Sequence, residues 1–137
     1  MNKVFIDSDV ILDFLLDRQP FIDEITFIIE KAIGKEIQLC VASHSVTNLY
    51  YIIRRLENKK KAKTKTINIL KLVKVKNVGQ STIDKAIHST FKDFEDAVQN
   101  FCAIESNHKI IITRNVKDFK ESRLAILTQK EFLVKIG

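Results

Sequence analysis

The chain has 137 residues, of which 45% are hydrophobic and 29% are charged. This composition is ordinary for a globular protein and unlike that of a disordered or low-complexity chain, and the length suits one domain, so we expect residues 1–137 to fold as a single domain. No apolar run approaches the roughly 18 residues of a membrane span, and acids at positions 7 and 9 interrupt any secretory signal, so we expect a cytoplasmic protein with no membrane partner.

The net charge of +6 at pH 7 indicates a polyanionic partner. Basic residues crowd into the stretch from residue 54 to residue 66, which contains a single acid, Glu57. This stretch is typical either of a solvated helix junction or of a patch that contacts phosphates. The candidate phosphate-binding residues in it are Arg54, Arg55, Lys59, Lys60 and Lys61.

Five short apolar runs predict β-strands: KVFID, EIQLCVA, a weaker VKVKNV, KIIIT and RLAIL. Amphipathic stretches between them predict helices over residues 21–33, 43–56, 61–72, 81–89 and 93–106. Gly34 is a candidate C-cap and Ser43 a candidate N-cap. The alternation favours an α/β fold, a three-layer α/β/α sandwich with a mainly parallel sheet of roughly five strands.

Polar side chains follow three of the predicted strands, at the sheet edge where α/β proteins usually bind ligands. Asp7 follows the first strand, Asn48 comes shortly after the second, and the fourth runs into Thr113, Asn115 and Asp118. A hydrophobic core needs none of these groups, and a buried carboxylate is costly without a partner. The strand ends therefore predict a functional site.

The segment FKDFEDAVQNFCAIE predicts a helix that brings further acids to this site. Asp93, Asp96 and Asn100 stand at i, i+3 and i+7 and share one helix face, whereas Glu95 is expected to point elsewhere as a surface acid. Taken alone, Asp93 and Asp96 also fit helix capping and compensation of the helix dipole.

Four carboxylates are expected near one edge of the sheet: Asp7, Asp9, Asp96 and Asp118. They repel one another unless a cation neutralises them. Mg2+ takes hard oxygen ligands and keeps several waters, so one or two direct carboxylates suffice to hold it. Such an ion activates water as a nucleophile and stabilises charge on a phosphodiester.

These motifs resemble those of the PIN domain ribonucleases, a family that includes the toxins of bacterial VapBC toxin-antitoxin pairs. VFIDSDVILDFLLDRQPF is similar to the family's opening strand and first acid, DFEDAVQNFCA to its third motif and IIITRNVKDF to its fourth. The resemblance runs nearly end to end, and T-x-N-x-x-D-F after an apolar strand is its most specific part. It implies a PIN-like fold and an endoribonuclease that hydrolyses RNA phosphodiester bonds with Mg2+ or Mn2+.

The resemblance also implies a role for each matching residue. Asp7 and Asp96 are the principal metal carboxylates, and Asp118 and Asn115 complete the catalytic set. Thr113 matches a hydroxyl that hydrogen-bonds to the first acid and holds it in its metal-binding orientation. The basic stretch described above is then expected to grip the RNA backbone.

The second acidic position departs from the family pattern. The family places a Glu before a Leu after the second strand, whereas this chain has Asn48 before Leu49. Asparagine holds a metal-bound water at best, since it carries no charge and is no base. Asp93 or Asp9 is a candidate for compensation, although Asp9, which stands where many members carry Asn, also fits a loop-capping role.

Two other functions stay open on the sequence. A PIN-like module weakened in catalysis by the loss of the second acid would bind RNA or a protein. The D-x-D-V-I opening also matches the first motif of haloacid-dehalogenase-type phosphatases, but KIIIT is followed by RNVKD, without the two adjacent acids of that family.

The resemblance further implies protein partners. A toxin of this family is expected to have a small antitoxin that inserts a basic side chain among the acids, and many PIN domains form homodimers. The apolar segment LYYII suits either a dimer contact or the core, and we expect Leu49 and Ile53 in the core.

Overall fold

Five strands and seven helices alternate along residues 2–136, the part of the chain that the structure, a computed structural model, describes. The strands are β1 (Asn2–Ile6), β2 (Ile37–Ala42), β3 (Val73–Lys76), β4 (Ile110–Ile112) and β5 (Ala125–Leu127). The helices are α1 (Ser8–Leu15), α2 (Ile22–Ile33), α3 (Ser43–Leu56), α4 (Lys59–Leu70), α5 (Gln80–Ile87), α6 (Phe94–Glu105) and α7 (Gln129–Ile136). A 3-10 turn, Val116–Phe119, lies between β4 and β5.

The strands form one parallel sheet in the order β3-β2-β1-β4-β5. The central strand β1 places Val4 opposite Leu39 of β2 and Phe5 opposite Ile111 of β4. The strand order therefore reverses at β1, and the carboxyl ends of β1 and β4 flank the point where such sheets bind ligands. The predicted α/β fold with a parallel, five-stranded sheet is confirmed.

Alternate residues of the strands face two different cores. Val4 and Ile6 pack into the larger core, to which α1, α2, α3, α4 and α7 contribute side chains. Phe5 and Cys40 pack into a smaller core with Ala103 of α6. Because both faces of the sheet are covered, its central strands are continuous apolar runs rather than alternating ones.

Helices α2 to α6 begin and end within two residues of the predicted bounds, whereas the sequence patterns do not predict α1 or α7. Six of the eight residues of α1, including the polar Ser8 and Asp13, are buried. Helix α1 has only eight residues, which gives its apolar period little length in which to repeat. Helix α7 has only eight residues, about two turns, which is too short for a clear period.

The two predicted caps differ from the structure in detail. Gly34 follows α2 with a φ of −73°, and the left-handed residue is Lys35, with a φ of 60°. Ala42, not Ser43, is the N-cap residue of α3. Ser43 begins the helix, and its hydroxyl accepts a hydrogen bond from the backbone N–H of Val78 at 3.2 Å. Ser43 therefore ties the segment after β3 to α3 instead of capping the helix.

The segment LYYII of α3 is divided between the core and the surface. Leu49 and Ile53 are buried, as expected, whereas Tyr51 is exposed and meets Tyr50 edge-on with 5.1 Å between the ring centroids. The homodimer stays a prediction. Among the helices of residues 2–136, none combines the length and the apolar character that crossing a membrane requires.

Candidate functional site

Asp7 lies at the centre of the candidate site. It follows β1, serves as the N-cap of α1 and is 2% exposed. Its backbone N–H donates to the carbonyl of Ile112 at 2.9 Å, so the sheet continues to the site itself. Burial raises the pKa of its carboxyl group, and a hydrogen bond from Thr113 opposes that rise.

The Asp7 carboxylate accepts three hydrogen bonds from neutral donors. Thr113 Oγ1 donates to Oδ2 at 2.7 Å, while Gln99 Nε2 and the backbone N–H of Asp9 each donate to Oδ1 at 3.2 Å. Thr113 Oγ1 also accepts from the backbone N–H of Asn115 at 3.0 Å. These bonds hold the carboxylate in one orientation without neutralising its charge.

Gln99 is a site residue that the sequence analysis missed. It is 1% exposed, and besides contacting Asp7 it accepts a hydrogen bond from the backbone N–H of Ser8 at 3.0 Å. It stands at i+3 from Asp96, a spacing that puts both on one helix face and that could have identified it. That Asn100 shares a face with the acids stays a prediction; the residue is buried, its Oδ1 has no hydrogen-bond partner within residues 2–136, and it lines a cavity with Phe101 and Ile104.

Asp96 lies in the first turn of α6 and is half-buried. Burial raises its pKa to about 7, and the charges of Asp7, Asp93, Asp118 and Asp9 add to the rise. We call these five residues the acidic cluster. No salt bridge within residues 2–136 involves any of them, so no direct ion pair relieves their mutual repulsion.

The other members of the acidic cluster form its exposed rim. Asp93 is the N-cap of α6 and accepts a hydrogen bond from the backbone N–H of Asp96 at 2.9 Å. Asp118 lies in the 3-10 turn, where its backbone N–H donates to the carbonyl of Asn115 at 3.0 Å. Asp9 is exposed in the first turn of α1. The site therefore has one deeply buried carboxylate and several at its mouth.

Glu95 also belongs to the site, which corrects the expectation that it points elsewhere. Its Oε2 accepts a hydrogen bond from Asn48 Nδ2 at 3.2 Å, and its Oε1 accepts one from Ser8 Oγ at 3.4 Å. Desolvation of the carboxyl group raises its pKa, and the charges of Asp9 and Asp93 raise it further. Helix periodicity cannot reveal this contact, because it depends on how α3 approaches the start of α6.

The predicted basic stretch lies at the junction of α3 and α4. Arg54 and Arg55 are exposed in the last turn of α3, and residues 59–61 are exposed at the start of α4. At 1.5 Å per residue, Arg54 is about 9 Å farther along the α3 axis than Asn48. The role of this stretch in RNA binding stays a prediction.

Three other lysines share a groove with members of the acidic cluster. Lys92, Lys117 and Lys120 line an open groove of about 410 Å³ whose wall also includes Asp93 and Asp118. We call it the lysine groove. Its basic side chains come from two segments far apart in the chain, so no run of charge in the sequence indicates it.

The donor set of the acidic cluster fits a Mg2+ ion. Asp7 offers a buried carboxylate with neutral partners, and burial together with the neighbouring carboxylates disfavours the ionised form of Asp96. Within residues 2–136, no three His, Cys, Asp or Glu side chains are grouped closely enough to ligate one ion together. Mg2+ usually takes one or two direct carboxylates and several waters, so it does not require such a group.

Comparison with known proteins places this geometry in a family. A model of the PIN domain family matches residues 3–117, which include Asp7, Asp96 and Thr113. In sequence the chain is similar to ribonuclease VapC1 of Aquifex aeolicus (strain VF5), with 28% identity over 136 residues, covering 96% of this chain and 93% of that protein.

The fold is similar to that of two solved structures in particular. VapBC-1 from nontypeable Haemophilus influenzae has 16% identity and a TM-score of 0.71, covering 93% of this chain and 98% of that one. A toxin-antitoxin complex from Klebsiella pneumoniae has 16% identity and a TM-score of 0.68, covering 92% and 97%. With its parallel sheet, its acids at the strand ends and a family match over most of its length, the chain belongs to the PIN domain family.

Proposed function

We propose that this protein is a Mg2+-dependent endoribonuclease that hydrolyses RNA phosphodiester bonds and acts as the toxin of a toxin-antitoxin pair. The observation that carries the proposal is the acidic cluster, in which a buried Asp7 has only neutral partners within residues 2–136 and Asp96 has a pKa of about 7. Similarity to ribonuclease VapC1 supports RNA as the substrate.

In this proposal Asp7 and Asp96 hold the ion, for which Mn2+ can substitute. The ion, when bound, would supply activation of water and neutralisation of phosphate charge. Thr113 and Gln99 donate to different oxygens of Asp7 and so orient the carboxylate toward the ion. Because both donors are neutral, neither of them competes with a cation for the charge of the Asp7 carboxylate.

Asn115 and Asp118 lie at the mouth of the site, on the turn after β4. We assign them to the water that attacks phosphorus, which they would orient by accepting its hydrogen bonds. Both belong to the segment whose first residue, Thr113, is bonded to Asp7, so the turn is fixed relative to the first acid.

The test of this function is cleavage of single-stranded RNA by the purified chain with Mg2+ or Mn2+, compared with EDTA. Loss of a residue that only orients a metal ligand typically costs about 10- to 100-fold. Asp96→Asn should lower the cleavage rate by more than this, and the variant should remain folded. Asp84→Asn is the matched control, since Asp84 is an exposed acid on α5. Metal-independent cleavage, no cleavage by the wild type, or an unchanged rate in Asp96→Asn would contradict the proposal.

The lysine groove includes two members of the acidic cluster in its wall, Asp93 and Asp118. We assign to Lys117 and Lys120 the phosphates next to the scissile bond, and to the predicted α3–α4 stretch the more distant ones. Replacing Lys117 and Lys120 by Gln should therefore weaken RNA binding more than replacing Lys60 and Lys61, and each lost phosphate contact should flatten the salt dependence. If the two double variants bind a short RNA with equal affinity, the assignment of the phosphates next to the scissile bond to Lys117 and Lys120 is refuted.

A non-catalytic module that binds RNA or a protein is the second candidate function, and Asn48 at the second acidic position is the observation that favours it. The cleavage assay separates the two, because a module binds RNA without cutting it. In that case Asn48→Glu would be expected to create activity. The phosphatase alternative has no support in the family match, and absence of a phosphorylated Asp7 after incubation with phosphate esters would exclude it.

An antitoxin is the protein partner that we propose. Solved structures with this fold include a toxin-antitoxin complex. A basic side chain inserted into the acidic cluster would form charge-assisted hydrogen bonds there and relieve its repulsion. A small protein encoded next to this chain should co-purify with it and stop RNA cleavage, and a neighbour that neither binds nor inhibits would count against the pairing.

A further inference from the structure

We propose that Glu95 supplies the carboxylate that the PIN pattern takes from α3, acting on the metal ion through its bound water rather than as a direct ligand, and that Asn48 positions it. The inference rests on the proposed metal-dependent nuclease function and names a residue that this function would use. On this inference Asn48 holds the Glu95 carboxylate in place, and its presence at the second acidic position does not mean that the site has lost a carboxylate.

The contacts of Glu95 place its carboxylate between three elements. Its own backbone lies in the first turn of α6, Asn48 Nδ2 reaches it from α3 at 3.2 Å, and Ser8 Oγ reaches it from α1 at 3.4 Å. Ser8 directly follows Asp7, and Asp96 directly follows Glu95. The carboxylate is thus held beside the residue that follows Asp7, and the charge of Asp7 acts on it.

The chemistry of Asn48 suits this role. Glutamate at position 48 would set two carboxylates against each other at hydrogen-bond distance, which is unfavourable without a cation or a proton between them. The amide of Asn48 instead donates an N–H to Glu95 and leaves its charge intact. The exchange keeps the number of carboxylates at the site while moving one of them from α3 to α6.

Glu95 fits the role better than the two acids suggested by the sequence. Asp93 already uses an oxygen to cap α6 through the N–H of Asp96, while Asp9 is exposed to solvent, as Glu95 is. Neither forms a hydrogen bond with Asn48 within residues 2–136, whereas Glu95 does. In that part of the chain Glu95 also takes no part in a salt bridge, so it is free to meet a cation.

The experiment measures the affinity of the full chain for Mn2+ by electron paramagnetic resonance of the free ion, with circular dichroism as a check of folding. Glu95→Gln should weaken binding about 10- to 100-fold, the range seen when a group that supports a metal site is lost. Glu30→Gln, which removes an exposed charge from α2, should bind like the wild type. The double variant Glu95→Gln/Asn48→Glu returns the carboxylate to α3 and should regain most of the lost affinity.

The outcomes separate this inference from the proposed function. If the wild type binds Mn2+, Asp96→Asn loses it and Glu95→Gln keeps it, the metal site stands and the role of Glu95 is refuted. If Glu95→Gln weakens binding but the double variant gains nothing, positions 48 and 95 do not share one carboxylate and the inference fails. If the wild type binds no Mn2+, both the function and the inference are overturned.

Discussion

Two carboxylates are buried near the start of this chain, and their surroundings differ in one respect that bears on function. Asp13, within α1, is 0% exposed and is bound by Arg114 Nε at 2.8 Å, by Arg114 Nη2 at 3.4 Å and by Arg18 Nη1 at 3.6 Å. Asp7, one residue before α1, is 2% exposed and has only neutral donors within residues 2–136. Within residues 2–136, Asp13 is therefore paired with two arginines, whereas Asp7 forms no ion pair.

The geometry of Arg114 explains how the two acids are kept apart. It donates to Asp13, and its guanidinium lies 4.6 Å from the ring centroid of Phe21. The hydrogen bond to Asp13 raises its pKa, and the charges of Asp9 and Asp7 add to that rise. The contacts of Arg114 with Asp13 and Phe21 thus hold its guanidinium group away from an ion pair with the acidic cluster. We conclude that a charge already paired with arginine is structural, and that one left unpaired is available to a ligand.

The largest effect should follow from Asp7→Asn. The amide has the same shape, its oxygen can accept from Gln99 and Asp9, and its NH2 group can donate to the hydroxyl of Thr113, so the fold should be kept. Loss of the charge should lower RNA cleavage by about 10²- to 10³-fold, as for other groups that stabilise charge at an active site. Single-turnover cleavage rates measure this, with Asp84→Asn as the control. A rate within a few-fold of the wild type would remove Asp7 from the mechanism.

Asp13→Asn should have the opposite result. It leaves Arg114 and Arg18 without their buried partner, so the free energy of unfolding should fall by roughly 2 to 4 kcal/mol. Urea denaturation at pH 7 measures it, and Asp23→Asn on the exposed side of α2 is the control. Cleavage at saturating metal should stay close to that of the wild type below the unfolding transition. If the free energy of unfolding is unchanged and cleavage is lost, the assignment of a structural role to Asp13 is wrong.

Thr113→Val should have a smaller effect on the site. It removes the 2.7 Å hydrogen bond to Asp7 with almost no change in shape, so the carboxylate keeps its charge and loses its orientation. Affinity for Mn2+ should fall by about 10- to 100-fold, and the pKa of Asp7 should rise because the bond from Thr113 lowers it. Serine at this position should preserve both properties. A valine variant that binds Mn2+ normally would show that Asp7 needs no orienting hydroxyl.

The smallest effect concerns pH. The pKa of Asp96 is raised from 3.8 to about 7, so its ionised form disfavours the folded state. This destabilisation is absent below pH 3.8, grows as pH rises and is complete above about pH 7. Without metal, Asp96→Asn should therefore be more stable than the wild type by on the order of 1 kcal/mol at pH 8, after allowance for solvent screening, and by less at pH 5.

Chemical denaturation in EDTA at the two pH values measures this difference. Binding of Mn2+ to the wild type should tighten from pH 6 to pH 8, because the metal competes with the proton on Asp96. A stability difference that does not change with pH would mean that Asp96 is ionised throughout and that the acidic cluster does not perturb it.

Part of this protein follows from short-range sequence patterns. The strands are apolar runs of three to six residues, and α2 to α6 have a one-sided apolar period, so both kinds of element are local properties of the chain. The position of Asp7 and Thr113 at one sheet edge could also be predicted, because parallel strands bring their carboxyl ends together.

Tertiary structure decided the rest. Helix α1 has most of its residues buried between other elements, and the pairing of Asp13 with Arg114 joins residues 101 positions apart. Likewise, whether Gln99 or Asn100 reaches Asp7 depends on the rotation of α6 against the sheet. The contact between Asn48 and Glu95 depends on how two helices pack. Periodicity states which residues share a face of one element, but the distance between side chains of different elements is set only when those elements pack together.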